Sequence, residues 1–374
     1  MRIVADDKIP FLKGILEPYA DIEFLPGAKI DHKVIKNADA LLIRTRTKCT
    51  EELLKDTAVK FIGTATIGFD HIDTQYCEKN GIFWINAPGC NSSSVQQYIT
   101  AALLKMASEF RFELNRKTLG IVGVGNVGSK VEKVARLLGI KVLLNDPPRA
   151  RAEGAAGFVS FKEIINNADI ITLHVPLNVV GDDQTYHLFG DKAFRNMKKG
   201  AWFINSSRGE VTDTNALRKA LDSQTIAGAV IDVWENEPDI DLEVMRRTFL
   251  STPHIAGYST DGKANGTSMV VNSLCKHFGL ELKNWYPDKL PEPAISKLHI
   301  NGSGKSTQGI ITEAVLQTYD IDRDNINLRF SPADFEKQRG EYPLRREFPA
   351  FSVEAEECPE DAVNILKGLG FRMQ

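Results

Sequence analysis

Cysteine is scarce and badly placed for cross-links. The 374 residues carry five, namely Cys49, Cys77, Cys90, Cys275 and Cys358, and no two form a C-x-x-C pair. An odd, scattered set argues against a disulfide frame or a cysteine-based zinc site, so reduced thiols are expected. No apolar run is long enough to span a membrane. The opening "MRIVADDKIPF" has no apolar core of signal-peptide length, and a cytoplasmic protein is expected. Positive charge is not in excess: the formal net charge is -3 and no basic run stands out, so nucleic acid is not an expected partner. "FDHID" places Asp70, His71 and Asp73 together, but no second cluster completes a metal site, and a solvated turn is expected. There is no internal repeat and no low-complexity tract.

What the chain does have is alternation. From Met1 to about Ser92, "RIVAD", "ALLIRT", "KFIGTAT" and "IFWINA" are predicted strands. "DHKVIKNA" and "TEELLKD" are helices or turns between them, which together describe a small parallel α/β unit. "SSSVQQYITAALLKMASEF" begins with capping serines and carries a helical apolar face. From Lys117 to about Pro253 come "TLGIVG", "KVLLND", "DIITLHV", "GAWFINSS" and "GAVIDVW", near-continuous apolar runs of the kind that are covered on both faces of a sheet. "YPDKLPEP" reads as a linker into a third region, in which "AISKLHI", "INLRF" and "FSVEAEE" look strand-like.

In "LGIVGVGNVGSKV", Gly123, Gly125 and Gly128 form G-x-G-x-x-G between a strand and a helix. Gly123 permits the turn, Gly125 lets the backbone approach a pyrophosphate, and Gly128 lets helix and strand close up. The intervening Asn126 and Val127 sit at the helix start, where free N–H groups face the anion. The next strand ends in Asp146. A carboxylate there accepts from ribose hydroxyls and repels a 2′-phosphate, which favours NAD, while nearby Arg149 keeps NADP open. "HINGSGKST" resembles a phosphate loop but has His299 where that motif needs glycine, so a surface turn is expected around Lys305.

Three further strand ends carry chemistry. "NSSRG" puts Ser206, Ser207 and Arg208 at the carboxyl edge of the sheet. Asp232 follows the next strand, with Glu237 five residues on. His254 stands in "TPHIAGY". An arginine can grip a carboxylate with two parallel N–H bonds, a histidine can take a hydroxyl proton, and a glutamate can fix the histidine tautomer. That combination suits hydride chemistry on a 2-hydroxy acid.

"GVGNVG", "LHVPL", "NSSRGEVTD", "DVWENEP" and "PHIAGY" together resemble the D-isomer-specific 2-hydroxyacid dehydrogenases. "FIGTATIGFDHID", "NAPGCNSSSV", "DPPR", "HIAGYSTDGKANGT" and "LRREF" resemble one branch of that family, which oxidises a phosphorylated four-carbon acid in pyridoxal phosphate biosynthesis and carries a third C-terminal domain. The resemblance implies a Rossmann NAD-binding domain (93–261) inserted into a flavodoxin-like substrate domain (1–92 and 262–286), and a C-terminal α+β dimerisation domain (287–374). It implies catalytic roles for Arg208, Glu237 and His254. It implies NAD contacts from Asp146, His174, Ser206, Ser207, Arg208, Asp232 and Gly257, and substrate contacts from Thr45, Thr66 and Tyr258, with Thr45 standing where serine is expected. For the substrate phosphate, Arg44 is expected in a loop beside Thr45. Arg345 and Arg346 of "LRREF", reaching across a dimer interface, are the alternative, and a solvated basic strand end is the third reading. Phosphoglycerate dehydrogenase activity, or NAD-responsive binding without turnover, are the alternative functions.

Overall fold

The computed structural model describes residues 1–374. They divide into two compact units, 1–91 with 259–291, and 92–258 with 292–374.

The first unit is a five-stranded parallel sheet of β1 (Arg2–Asp6), β2 (Asp21–Leu25), β3 (Ala40–Ile43), β4 (Phe61–Thr64) and β5 (Phe83–Ile85). Its spatial order is β2-β1-β3-β4-β5, the flavodoxin-like winding. Period-two alternation splits each strand between two cores. Val4, Leu41, Ile43 and Ile62 face Ile35, Leu54 and Cys77. Ile3, Ala5, Leu42 and Phe61 face Val270, Val271 and Leu274 of the returning helix Thr260–Phe278. Sequence reasoning did not find β2. "DIEFL" is an edge strand with alternating charges and no fully buried residue.

The second unit contains a six-stranded parallel sheet: β6 (Thr118–Val122), β7 (Lys141–Asn145), β8 (Ile170–Leu173), β9 (Ala201–Asn205), β10 (Ile226–Ile231) and β11 (Leu250–Ser251), in the order β11-β10-β9-β8-β6-β7. Beyond β7 the chain adds only a short extended piece, where the Val159 N–H donates to the Leu144 carbonyl at 2.7 Å. Leu119, Ile121, Ile170, Ile204 and Val230 line one face. Val122, Ile171, Leu173, Phe203 and Ile231 line the other.

The C-terminal region adds a parallel three-stranded sheet, β12 (Lys297–Asn301), β13 (Ser352–Glu356) and β14 (Arg372–Met373), in that order. It is not a compact unit of its own. Leu298, Ile300, Ile311, Val315, Val353 and Leu366 share one buried cluster with Tyr98, Ala102, Val131 and Ile204. "INLRF", expected as a strand, lies in the helix Ile321–Phe330, which Asp320 caps. Its buried residues Ile321, Asp324 and Leu328 follow helical spacing. A five-residue apolar run was too short to tell the two apart.

Cys49, Cys77, Cys90 and Cys275 are buried, Cys358 is half-buried, and all five are free thiols. Burial pushes Cys49 up to about 12, the wrong direction for a reactive thiolate. Gly302–Lys305 form a mostly exposed turn, where the Lys305 ammonium pairs with Glu313 at 2.5 Å. In "FDHID", Asp73 caps the helix Thr74–Lys79 and His71 reaches Thr64 at 3.0 Å, so both side chains have structural partners. No helix is long and apolar enough to cross a membrane.

Candidate active site

The carboxyl ends of the second unit's strands gather the polar residues. After β6, Gly123 takes φ +87°, and a Cβ there would meet the His174 carbonyl at 2.5 Å. A Cβ on Gly128 would meet the Gly123 carbonyl at 2.0 Å. Those two glycines are demanded by the fold itself. Gly125 differs: a Cβ there would meet nothing within 4 Å. The space over it is open, as an approaching pyrophosphate needs. Exposed Asn126 and half-buried Val127 lead into the helix Gly128–Leu137.

Asp146 follows β7 and caps the next helix. One of its oxygens accepts from the Val124 N–H at 2.8 Å and the other from the Arg149 N–H at 3.0 Å. The Arg149 guanidinium is committed elsewhere. It donates to both oxygens of Glu153 at 2.8 and 2.7 Å and to the Val124 carbonyl at 2.6 Å. His174, after β8, bonds the Thr172 hydroxyl at 3.1 Å, and burial pushes its pKa down to about 3.

After β9, Asn205 organises the turn. Its amide donates to the Arg208 carbonyl at 2.9 Å, and its carbonyl oxygen accepts from the Ser207 N–H at 3.0 Å. A Cβ on Gly209 would meet the Trp234 carbonyl carbon and oxygen at 2.0 Å, so only glycine can follow Arg208. Arg208 makes one side-chain hydrogen bond, to the Ser207 carbonyl at 2.8 Å, which leaves most of its donors uncommitted. The buried Ser206 hydroxyl has no partner at all. A buried orphan hydroxyl is costly unless a ligand completes it, so it fits a bound dinucleotide.

After β10 the chain builds an acid/base pair. Glu237 accepts from the Trp234 N–H at 2.9 Å with one oxygen and from His254 Nδ1 at 2.8 Å with the other. Burial alone would raise the Glu237 pKa, but the hydrogen bond and charge of His254, the Trp234 N–H and Arg339 together hold it below the ordinary value. His254 sits at φ +56°, in the left-handed region that a non-glycine residue rarely adopts. Its Nε2 has no partner. Asp232 holds the histidine's loop from below. It accepts from Thr252 at 2.6 Å and from the Ile255 and Ala256 N–H groups at 2.8 and 3.0 Å, while its carbonyl accepts from the His254 N–H at 2.7 Å. Burial raises its pKa, opposed by His254 and these bonds. Gly257 and Tyr258 follow, both half-buried.

On the first unit, β3 ends at Ile43 and Arg44–Thr47 form a turn, with the Thr47 N–H on the Arg44 carbonyl at 3.3 Å. The loop expected at Arg44 and Thr45 is present, and Thr45 is exposed. Arg44 bonds the Lys8 carbonyl at 3.3 Å. Thr66, after β4, bonds Thr64 at 2.7 Å and the Gly68 carbonyl at 2.9 Å.

Arg345 corrects an expectation. It is buried at 4% exposure within its own chain, so it cannot extend across an interface. It donates to the Ile255 carbonyl at 3.3 Å, the Ala256 carbonyl at 2.5 Å and the Ser94 hydroxyl, and lies 4.4 Å over the Tyr319 ring. Asp232 therefore takes the N–H groups of the His254 loop and Arg345 takes its carbonyls. Sequence reasoning also missed two other residues. Glu235 anchors His187 at 2.7 Å and the Thr214 N–H at 2.8 Å, a structural double of the catalytic-looking pair. Arg339 lies beside Glu237, and nothing in "EKQRGEY" signals it.

The D-isomer-specific 2-hydroxyacid dehydrogenase NAD-binding domain model matches residues 93–256, and a domain of unknown function matches residues 289–370. The chain is 49% identical over 354 residues to the erythronate-4-phosphate dehydrogenase of Bacteroides fragilis, covering 94% of this chain and 99% of that one. It belongs to the erythronate-4-phosphate dehydrogenase family. The family member from Porphyromonas gingivalis is 41% identical over 372 residues, covering 99% of this chain and 100% of its own. Among solved structures, D-lactate dehydrogenase from Aquifex aeolicus, complexed with NAD and lactic acid, shares 26% identity at a TM-score of 0.62, over 78% of this chain and 100% of its own.

Proposed function

We propose that the chain catalyses the NAD-dependent oxidation of 4-phospho-D-erythronate to (R)-3-hydroxy-2-oxo-4-phosphooxybutanoate, a step of pyridoxal 5′-phosphate biosynthesis. The observation that carries the chemistry is the Glu237–His254 pair, with Nδ1 held by the carboxylate at 2.8 Å and Nε2 left open. His254 takes the proton of the C2 hydroxyl at Nε2. Glu237 fixes the tautomer that makes Nε2 the acceptor and stabilises the imidazolium formed. Arg208 binds the substrate carboxylate through its uncommitted donors. When bound, the nicotinamide supplies the two-electron acceptor for the C2 hydrogen. The turn Gly123–Gly128, Asp146, His174, Ser206, Ser207, Asp232 and Gly257 hold the dinucleotide, Ser206 gaining there the partner it otherwise lacks. Tyr258 contacts the substrate. Arg44 and Thr45, after β3, receive the substrate's phosphate, and Thr66, after the adjacent strand β4, contacts the substrate. The protein works as a homodimer built on the C-terminal region.

The test is turnover on a panel of 4-phosphoerythronate, 3-phosphoglycerate and unphosphorylated erythronate. Preference for the first is expected. Arg44→Ala should lower kcat/KM for it roughly ten- to a hundredfold, the scale of one or two charge-assisted contacts, and barely affect erythronate. His254→Asn should cut turnover by about two to four orders of magnitude while NAD still binds. Near-wild-type turnover in that variant overturns the acid/base assignment.

A further inference from the structure

Arg339 belongs to the short helix Phe335–Gly340 of the C-terminal region, yet its charge is delivered to the acid/base pair. The side chain is 23% exposed. Nη1 lies 2.8 Å from a Glu336 oxygen and 4.0 Å from Oε2 of Glu237, the same oxygen that accepts from His254. Its Cζ is 6.0 Å from the Tyr258 ring centroid and 5.8 Å from that of Phe335, and the guanidinium shares a hydrogen bond with the Tyr258 side chain. Its Nε–H is buried and unpartnered. A solvated surface arginine would not accept such a position, because desolvating the guanidinium has to be offset by a nearby carboxylate.

The electrostatic consequence follows from the order of charges. Glu237 lies between the His254 imidazole and the Arg339 guanidinium, with Oε2 facing both. That placement keeps Glu237 ionised and turned toward the imidazole. It also weakens the grip of Glu237 on the histidine's proton, because a guanidinium beside the pair disfavours added positive charge. The other charged groups facing the pair are few. Asp232 lies behind the loop and accepts from Thr252 and two backbone N–H groups. Arg345 sits on the loop's carbonyls. Tyr258 flanks the guanidinium, and Glu336 offsets part of its charge.

We propose that Arg339 is a positioning residue for the Glu237–His254 pair, a fixed cation that holds the glutamate ionised and turned toward the imidazole. This rests on the acid/base reading of that pair. It gives the C-terminal region a role besides the proposed assembly: it supplies the cation beside the acid/base pair.

The experiment is the pH profile of kcat/KM on 4-phosphoerythronate, with NAD affinity measured in parallel by fluorescence. In Arg339→Gln the acidic limb should move up by about one pH unit, the effect expected of removing one charge at this range, and kcat should fall while NAD affinity holds. Arg339→Lys should restore most of the wild-type limb. Glu336→Gln, a substitution at an exposed rim, should move the limb the other way, down, by unmasking the guanidinium. An unmoved limb in both Arg339→Gln and Glu336→Gln overturns the proposal, whatever happens to the rate. So does a raised KM confined to phosphorylated substrate with the limb unmoved, which would make Arg339 a phosphate ligand. If Arg339→Gln loses NAD binding through misfolding, the direction of the Glu336→Gln shift decides alone. Failure of the acid/base reading itself would show separately, as turnover surviving in His254→Asn.

Discussion

Asp146 carries the choice between two nucleotides. Its oxygens already accept from Val124 and Arg149 N–H groups, and each retains a lone pair for a ribose hydroxyl. Arg149, the residue that could have welcomed a 2′-phosphate, is clamped by Glu153 and the Val124 carbonyl. Asp146→Ala should therefore raise KM for NAD about tenfold, on the scale of one hydrogen bond to a charged group, and bring NADP close to parity. Initial rates with both nucleotides check this, and an unchanged preference for NAD would locate the discrimination elsewhere. His174 makes a claim about stability. Its ordinary value is 6.5 and burial pushes it to about 3, so the folded chain refuses a proton that the unfolded chain takes. Its contribution is intact above pH 6.5 and is lost as pH falls toward 3. Thermal midpoints should drop between pH 7.5 and 5, and drop less in His174→Asn. Parallel curves for the two proteins would refute it.

At the scale of elements, the loop Thr252–Tyr258 depends on two long-range anchors of opposite kind. Asp232 was readable as a polar residue at a strand end, although its side chain turns out to serve the backbone of the histidine loop. Arg345 was noticed and misassigned, because a charged residue in a C-terminal motif gives no sign of being buried against residues ninety positions away. Losing it would take one donor from each of the Ile255 and Ala256 carbonyls, leaving them the Tyr258 N–H and the Ser94 hydroxyl, and would remove the cation over Tyr319. Arg345→Met should cost about 3 kcal/mol, the range for breaking a buried charged network, and lower kcat by displacing His254. Chemical denaturation with kcat measured on the same sample tests both, and a stable variant of normal rate would show that Asp232 suffices. The same contrast explains what the sequence made legible. The strand ends and the glycine turn are local patterns with fixed spacing, so they stand out in the sequence, and Glu237 and His254 each stand out as polar residues after a strand end. β2 has no buried run to announce it, the helix Ile321–Phe330 was too briefly apolar to reveal its period, and Arg339 meets Glu237 only through tertiary packing.

On the scale of the whole molecule the C-terminal region changes how assembly must be tested. Cutting the chain near Lys289 looks like a clean way to remove a dimerisation domain. It is not, because Leu298, Ile310, Val315, Val353 and Leu366 share a core with Tyr98, Ala102 and Val131 of the nucleotide-binding unit, and the cut would expose both sides of that cluster. Insoluble protein would then say nothing about the interface. A better probe lies on the helix Ile321–Phe330. Phe330 is 88% exposed and Ile326 61%, one helical turn apart, and Leu344 is 49% exposed. Large apolar side chains left this open in a monomer point to a covered surface in an oligomer, and a two-fold contact would bring the same residues together from both copies. Paired substitution Ile326→Lys and Phe330→Glu removes apolar area without touching the shared core. Central apolar anchors are worth about 2 kcal/mol or more each, so the proposed dimer should weaken at least about a thousandfold. Sedimentation velocity at micromolar concentration should then show monomers with an unchanged far-ultraviolet circular dichroism spectrum. A dimer that survives the double substitution would show that the copies meet through another face.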